Sequence, residues 1–177
     1  MDQYLIEGGY PISGTIRVSG NKNAALPCIA GTLLTEEPVI LRNIPDIEDV
    51  QVMLEIYRFV GGKAEELAPN TWRLETRDIK TSEIPIEQAQ KIRASILFAS
   101  PLLARTGKAI LPPPGGDVIG RRRLDTHLLV FTELGAEVQI QDTFVFSAAC
   151  LRGADIYLDE ASVTATENAV MAAVLAK

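Results

Sequence analysis

The densest chemistry in the chain lies in residues 112–127, which read Pro-Pro-Pro-Gly-Gly-Asp-Val-Ile-Gly-Arg-Arg-Arg-Leu-Asp-Thr-His. The loop carboxylate Asp117, a run of arginines at Arg121, Arg122 and Arg123, Asp125 and the only histidine, His127, share this stretch. Proline fixes φ and glycine frees it, so the run reads as a structured surface loop with a conformationally free backbone at Gly115-Gly116. Charged groups on such loops often bind or react; the plainer reading is a solvated turn before a basic helix start. The glycines at 115, 116 and 120 fit neither the dinucleotide fingerprint nor the Walker loop. Asp125 reads as a helix N-cap, with His127 its first-turn neighbour. Neither a Ser-His-Asp arrangement nor a metal-ligand spacing occurs.

Two further cationic positions stand out. Lys22 and Asn23 fall at the mouth of a helix, where free backbone N–H groups and the helix dipole favour an anion. Lys22 there either clamps a phosphate or carboxylate or is a solvated lysine beside an N-cap. Arg93 interrupts an otherwise apolar helical run, so it must extend to solvent or face a polar cleft. These are local positive spots in a chain of formal net charge −6 and pI near 4.9. That balance argues against a general nucleic-acid or anionic-membrane binder and suits a small anion.

The elements that must position these groups follow from periodicity and punctuation. At 177 residues, 47% hydrophobic and 23% charged, the chain suits one soluble domain with a real core. A strand is expected at 13–18, a helix at 24–34 capped by Asn23, a strand at 38–41, a helix from Asp46 to the Gly61-Gly62 stop, and two strands at 63–66 and 71–75. The order then recurs: a helix over 92–99, a strand at 108–111, a helix from Asp125 to Leu134-Gly135, and strands at 137–140 and 143–147. The repeat distance is about 70 to 75 residues. A third copy opens with 154–158, enters a helix at Glu167 and stops at Lys177; if the period holds, roughly fifty residues are missing and the sequence is a fragment or a split version of something larger. Cys28 and Cys150 read as packing residues, neither a disulfide framework nor a metal site. With neither a basic n-region nor a long apolar stretch, the expected location is cytoplasmic.

Taken together, Ser19-Gly20-Asn21-Lys22-Asn23-Ala24-Ala25-Leu26-Pro27, Arg93-Ala94-Ser95, Pro114-Gly115-Gly116-Asp117-Val118-Ile119-Gly120-Arg121-Arg122, Asp125-x-His127, and Ser162-Val163 with Thr166-Glu167-Asn168 form a set. In this order, and over essentially the whole chain, they closely resemble the UDP-N-acetylglucosamine 1-carboxyvinyltransferase family. The resemblance implies an α/β fold, an inside-out α/β barrel of two lobes, each made of three repeated βαβαββ-like units. It also implies a cytoplasmic transferase that moves the enolpyruvyl group of phosphoenolpyruvate to the 3′-hydroxyl of UDP-N-acetylglucosamine and releases phosphate, with no metal or cofactor. Residues 1–21 would belong to the other lobe and 22–177 to an incomplete catalytic lobe.

Position by position, the resemblance gives Lys22 and Asn23 to phosphoenolpyruvate. It gives Arg93, Arg122, Arg123, Leu124, Asp125, Thr126, Ser162 and Val163 to UDP-N-acetylglucosamine, with His127 beside them. The family's carboxylate for the sugar hydroxyl and its further phosphate-binding arginines fall in sequence absent here, so turnover would need the second lobe or a complementing chain. Two other readings stay open: a stand-alone nucleotide-sugar binding module or half of a split enzyme, and the related 3-phosphoshikimate 1-carboxyvinyltransferase. Besides position 117, departures from the family pattern are Arg123 at a usual proline, Thr164 at a common glycine, and the triple proline 112–114.

Asp117 occupies the loop position that is most often cysteine in this family, the proposed proton donor to the methylene carbon of phosphoenolpyruvate. A free thiol, with a pKa of about 8.5, is mostly protonated at neutral pH, whereas a free Asp at about 3.9 is not. To act as an acid Asp117 must be desolvated or placed beside negative charge, and the neighbouring arginines oppose that unless bound phosphates occupy them. A carboxylate is also a far poorer nucleophile than a thiolate. Fosfomycin-type epoxides, which alkylate the family's cysteine, should therefore leave Asp117 unmodified in peptide mass spectra; an epoxide adduct on Asp117 would contradict this.

Overall fold

Apolar periodicity, closed off by turn residues, divides the chain into two stretches that share the order helix, strand, helix, strand, strand. In the computed structural model, which describes residues 3–116 and 124–177, the first stretch runs helix α1 (Lys22–Gly31), a 3₁₀ turn (Thr32–Leu34), strand β1 (Val39–Arg42), helix α2 (Glu48–Phe59) and strands β2 (Lys63–Ala68) and β3 (Thr71–Glu75). The second runs a short helix α3 (Ile86–Ala89), a 3₁₀ segment (Arg93–Phe98), helix α4 (Ala99–Thr106), strand β4 (Lys108–Leu111), helix α5 (Asp125–Glu133) and strands β5 (Glu137–Ile140) and β6 (Phe144–Ser147). Helix α6 (Val163–Ala173) follows.

The two sheets have the same topology, β1-β3-β2 and β4-β6-β5, with each neighbouring pair antiparallel. Because β1 and β2 both oppose β3, they run parallel to each other and need a crossover, which α2 supplies; α5 does the same for β4 and β5. The last strand of each stretch is thus inserted between the first two. Among the described residues these two separate three-stranded sheets do not close into a barrel.

Period-2 alternation sets which face each sheet buries. In β3, Trp72 and Leu74 point inward and lie opposite Leu41 and Val39 of β1. In the second sheet Phe146 lies between Ala109 and Val138, and its ring centroid is 4.7 Å from that of the buried Phe131 on α5. Such a tilted aromatic pair adds about 0.5–1.5 kcal/mol to the burial itself. Both sheets feed one core, in which Tyr57, Phe98, Leu54 and Ile96 are fully covered. Arg105 joins the two stretches by donating to the carbonyls of Leu33 at 3.0 Å, Thr76 at 2.8 Å and Arg77 at 2.8 Å.

Several boundaries differ from the sequence reading, each for a physical reason. Helix α1 is capped by Asn21, whose side chain accepts from the Ala24 N–H at 3.0 Å, so Asn23 lies inside the helix. Helix α2 begins at Glu48, because the Asp46 carboxylate accepts from Gln51 Nε2 and does not cap. Residues 93–98 are 3₁₀ before the α-helix begins. Asp125 is the first residue of α5 and the cap position belongs to Leu124. Helix α6 opens at Val163, with Ser162 Oγ accepting from the Ala165 N–H, four residues earlier than expected. Neither 13–18 nor 154–158 pairs into a sheet; Ile12, Ile16, Val18 and Tyr157 are exposed, and a strand without a partner has no ladder to form. Cys28 and Cys150 are exposed, not packed. Among the described residues no helix is long and apolar enough to cross a membrane.

Candidate functional site

The N-terminal ends of α1, α2, the first 3₁₀ residues after α3, and α6 converge on a cleft of about 450 Å³. Helix α1 contributes Lys22, Asn23, Leu26 and Pro27, α2 contributes Asp49, and the segment after α3 contributes Lys91, Ile92, Arg93 and Ala94. The opposite wall is α6, through Val163, Thr164 and Glu167. These three share a face because spacings of three and four residues return to the same side of a helix. Gly116, the last described residue before position 117, lies on the rim.

Backbone bonds fix that rim. The Gly115 N–H donates to the Ala89 carbonyl at 3.1 Å and the Gly116 N–H to that of Gln90 at 3.2 Å. A Cβ on Gly115 would fall 1.7 Å from the Gln90 carbonyl oxygen, so only glycine allows this approach. At α1, Pro27 has no N–H, so the usual bond from that position to the Asn23 carbonyl four residues back does not form.

The cleft is polar and locally positive. Lys22, Lys91 and Arg93 line it against Asp49 and Glu167. Lys22 Nζ is 2.6 Å from Asp49 Oδ2, with both side chains partly exposed, a pair worth at most about 1 kcal/mol and therefore easily exchanged for a ligand anion. Burial raises the Glu167 pKa above the usual carboxylate value.

Of the residues expected from sequence, Lys22, Asn23, Arg93 and Val163 meet in this cleft. Ser162 stands beside them, its hydroxyl occupied as the α6 cap. Leu124 is half-buried, Asp125 exposed and Thr126 buried in the first turn of α5, and none of the three lines the cleft. Asp117, Arg122 and Arg123 lie outside the described residues. His127 is buried at 1% exposure, and its Nε2 is 3.2 Å from Oγ1 of the cleft residue Thr164. Burial first, and the nearby positive Arg93 second, push its pKa down to about 4. Sequence reasoning missed Glu167, Lys91 and Asp49 as cleft residues; the helical spacing of Glu167 from Val163 and Thr164 was the available signal. Among the described residues no group of three or more His, Cys, Asp and Glu could hold a metal ion.

Comparison with known proteins places this geometry in a class. The fold matches the enolpyruvyl transferase NikO from Streptomyces tendae with a TM-score of 0.78 at 24% identity, over 96% of this chain and 40% of that one. It matches an EPSP synthase from Acinetobacter baumannii with a TM-score of 0.72 at 15% identity, over 93% of this chain and 38% of that one. The fold is therefore that of the enolpyruvyl transferases. Residues 6–177 match the family described as EPSP synthase (3-phosphoshikimate 1-carboxyvinyltransferase), and the chain belongs to that family. Its sequence is 64% identical to the UDP-N-acetylglucosamine 1-carboxyvinyltransferase of Treponema denticola over 177 residues, all of this chain and 42% of that protein. It is 56% identical over 174 residues to the enzyme of that name from Bradyrhizobium diazoefficiens, 98% of this chain and 40% of that protein. The chain thus spans about two fifths of the length of these relatives.

The depressed pKa of His127 makes the stability of the fold depend on pH. Above pH 6.5 the ring is neutral in both folded and unfolded chains; between 6.5 and about 4 the unfolded chain takes up the proton that the folded one refuses. Stability contributed by the neutral ring is thus lost as pH falls through that window, at up to about 1.4 kcal/mol per pH unit. Urea unfolding free energies at several pH values should fall more steeply for the wild type than for His127→Gln, the carboxylates being common to both. Parallel slopes would contradict a buried neutral His127.

Proposed function

We propose that this chain carries part of the substrate cleft of a UDP-N-acetylglucosamine 1-carboxyvinyltransferase. The reaction is transfer of the enolpyruvyl group of phosphoenolpyruvate to the 3′-hydroxyl of the sugar nucleotide with release of phosphate, the first committed step of peptidoglycan and hence cell-wall synthesis. The observation that carries the reading is 64% identity, over all 177 residues, to a relative of that name. The cleft supports it by grouping Lys22, Asn23 and Arg93, whose side chains can donate to an anion, around one space.

In this reading Lys22 leaves Asp49 for the phosphate or carboxylate of phosphoenolpyruvate, beside Asn23. Arg93 and Val163, with Ser162 next to them, face the UDP-sugar, and Arg122, Arg123, Leu124, Asp125 and Thr126 continue along it. Asp117 protonates the methylene carbon, which makes the adjacent carbon electrophilic toward the sugar hydroxyl; loss of phosphate and of one methyl proton then restores the double bond. No metal or cofactor enters these steps. Residues 1–21 belong with a second lobe, in keeping with the exposure of Tyr4, Leu5, Ile6, Ile12 and Ile16. That lobe, or a complementing chain, supplies the base for the sugar hydroxyl, and the setting is cytoplasmic.

Calorimetric titration of the chain with UDP-N-acetylglucosamine should show binding that weakens about tenfold in Arg93→Ala, as expected for one lost charged hydrogen bond. Shikimate 3-phosphate should give no heat. Binding of shikimate 3-phosphate in preference to the sugar nucleotide would overturn the substrate assignment, and phosphate release by this chain alone would overturn the need for a second lobe.

A further inference from the structure

Beneath the cleft wall lies a line of buried polar side chains that the reaction above does not use. Ser100 on α4 and Asn168 on α6 are completely buried. Ser100 Oγ is 2.7 Å from both Asn168 Oδ1 and the Asn168 main-chain oxygen, each an acceptor for its hydroxyl. Asn168 Nδ2 donates to the Ile96 carbonyl at 3.1 Å. A carbonyl oxygen only accepts, so the nitrogen must face Ile96 and the orientation of the amide is fixed.

That orientation determines the rest of the line. Asn168 Nδ2 is also 2.9 Å from His127 Nδ1. An amide nitrogen donates and does not accept, so Nδ1 must present its lone pair and the ring proton must sit on Nε2. Nε2 then donates to Thr164 Oγ1 at 3.2 Å. The depressed pKa of His127 agrees with a ring that has no room for a second proton. Thr164 accepts from within the protein, which leaves its own hydroxyl proton for something else, and its side chain lines the cleft beside Val163.

We infer that Thr164 is a hydrogen-bond donor to an anionic oxygen of the bound ligand, and that Ser100, Asn168 and His127 are positioning residues that hold it in that polarity. The inference rests on the proposed function for its ligand but not for its internal direction. An anionic oxygen is the acceptor that Lys22 and Arg93 draw into the same space. Threonine is needed in this account because glycine has no hydroxyl to point and valine fills the space without a proton.

His127 is the sole histidine, so a proton–nitrogen correlation spectrum of the ¹⁵N-labelled chain shows its imidazole without further assignment. At pH 7 the ring should be neutral and protonated on Nε2. Asn168→Asp replaces the donor facing Nδ1 by an acceptor and should move the proton to Nδ1 or charge the ring. A ring protonated on Nδ1 in the wild type, or a tautomer unmoved by Asn168→Asp, would overturn the relay. Calorimetry with UDP-N-acetylglucosamine and, separately, inorganic phosphate tests the ligand half: Thr164→Val should bind at least one of them about tenfold more weakly, and Thr164→Ser should recover most of the loss. Equal affinities for Thr164→Val and wild type would overturn the donor role. Absence of binding of both probes by the wild type would overturn the proposed function and the ligand half together, with the tautomer still deciding the relay.

Discussion

The buried amide of Asn168 is the contact on which the cleft depends. It is completely covered and touches three other elements at once: the carbonyl of Ile96 in the 3₁₀ segment, the hydroxyl of Ser100 on α4 and the ring of His127 on α5. An unpaired buried amide costs several kcal/mol, and a fully paired one holds its partners to a single arrangement. The same 3₁₀ segment carries Arg93 and the same helix carries Val163, Thr164 and Glu167, so the opposing cleft walls are held in register from behind. Apolar packing of α4 and α6 alone would hold them close without fixing that register.

Function in this account comes from a local charge that the whole chain opposes. A net charge of −6 repels phosphate polymers, yet the cleft gathers Lys22, Lys91 and Arg93 with only Asp49 and Glu167 against them among the described residues. The Lys22–Asp49 pair keeps the lysine placed without committing it, because a partly exposed ion pair is weak. Arg93 acts on both sides of its segment: it lines the cleft, and its charge helps to keep His127 neutral.

Much of the fold is legible in the sequence because it is written in local punctuation. The stop at Gly61-Gly62, the β2–β3 turn in which Asn70 adopts a φ of 60°, and the end of α5 before Gly135 need only nearby residues. What depends on partners is not legible. Residues 13–18 are β-branched enough for a strand, but pairing is a property of two segments. Asn21 and Asn23 are equally good caps by type, and only the folded chain shows that it is Asn21 whose side chain accepts from the Ala24 N–H. His127 looks like a helix neighbour of Asp125 until Asn168, 41 residues away, comes against its ring. Lys22 and Asn23 were legible from their place at a helix mouth and Arg93 from charge in an apolar run, whereas Glu167 was hidden by placing the start of α6 one turn too late.

On the proposed reading, the anionic substrates bind in the cleft between α1, the 3₁₀ segment and α6. The most direct measurement is to follow the backbone amides of the ¹⁵N-labelled chain while UDP-N-acetylglucosamine and phosphoenolpyruvate are added. Shifts should concentrate at Lys22, Asn23, Arg93, Val163 and Thr164. Shifts confined to the groove lined by Arg105, Thr106 and Cys150 on the other side of α4, or none at the cleft residues, would contradict it.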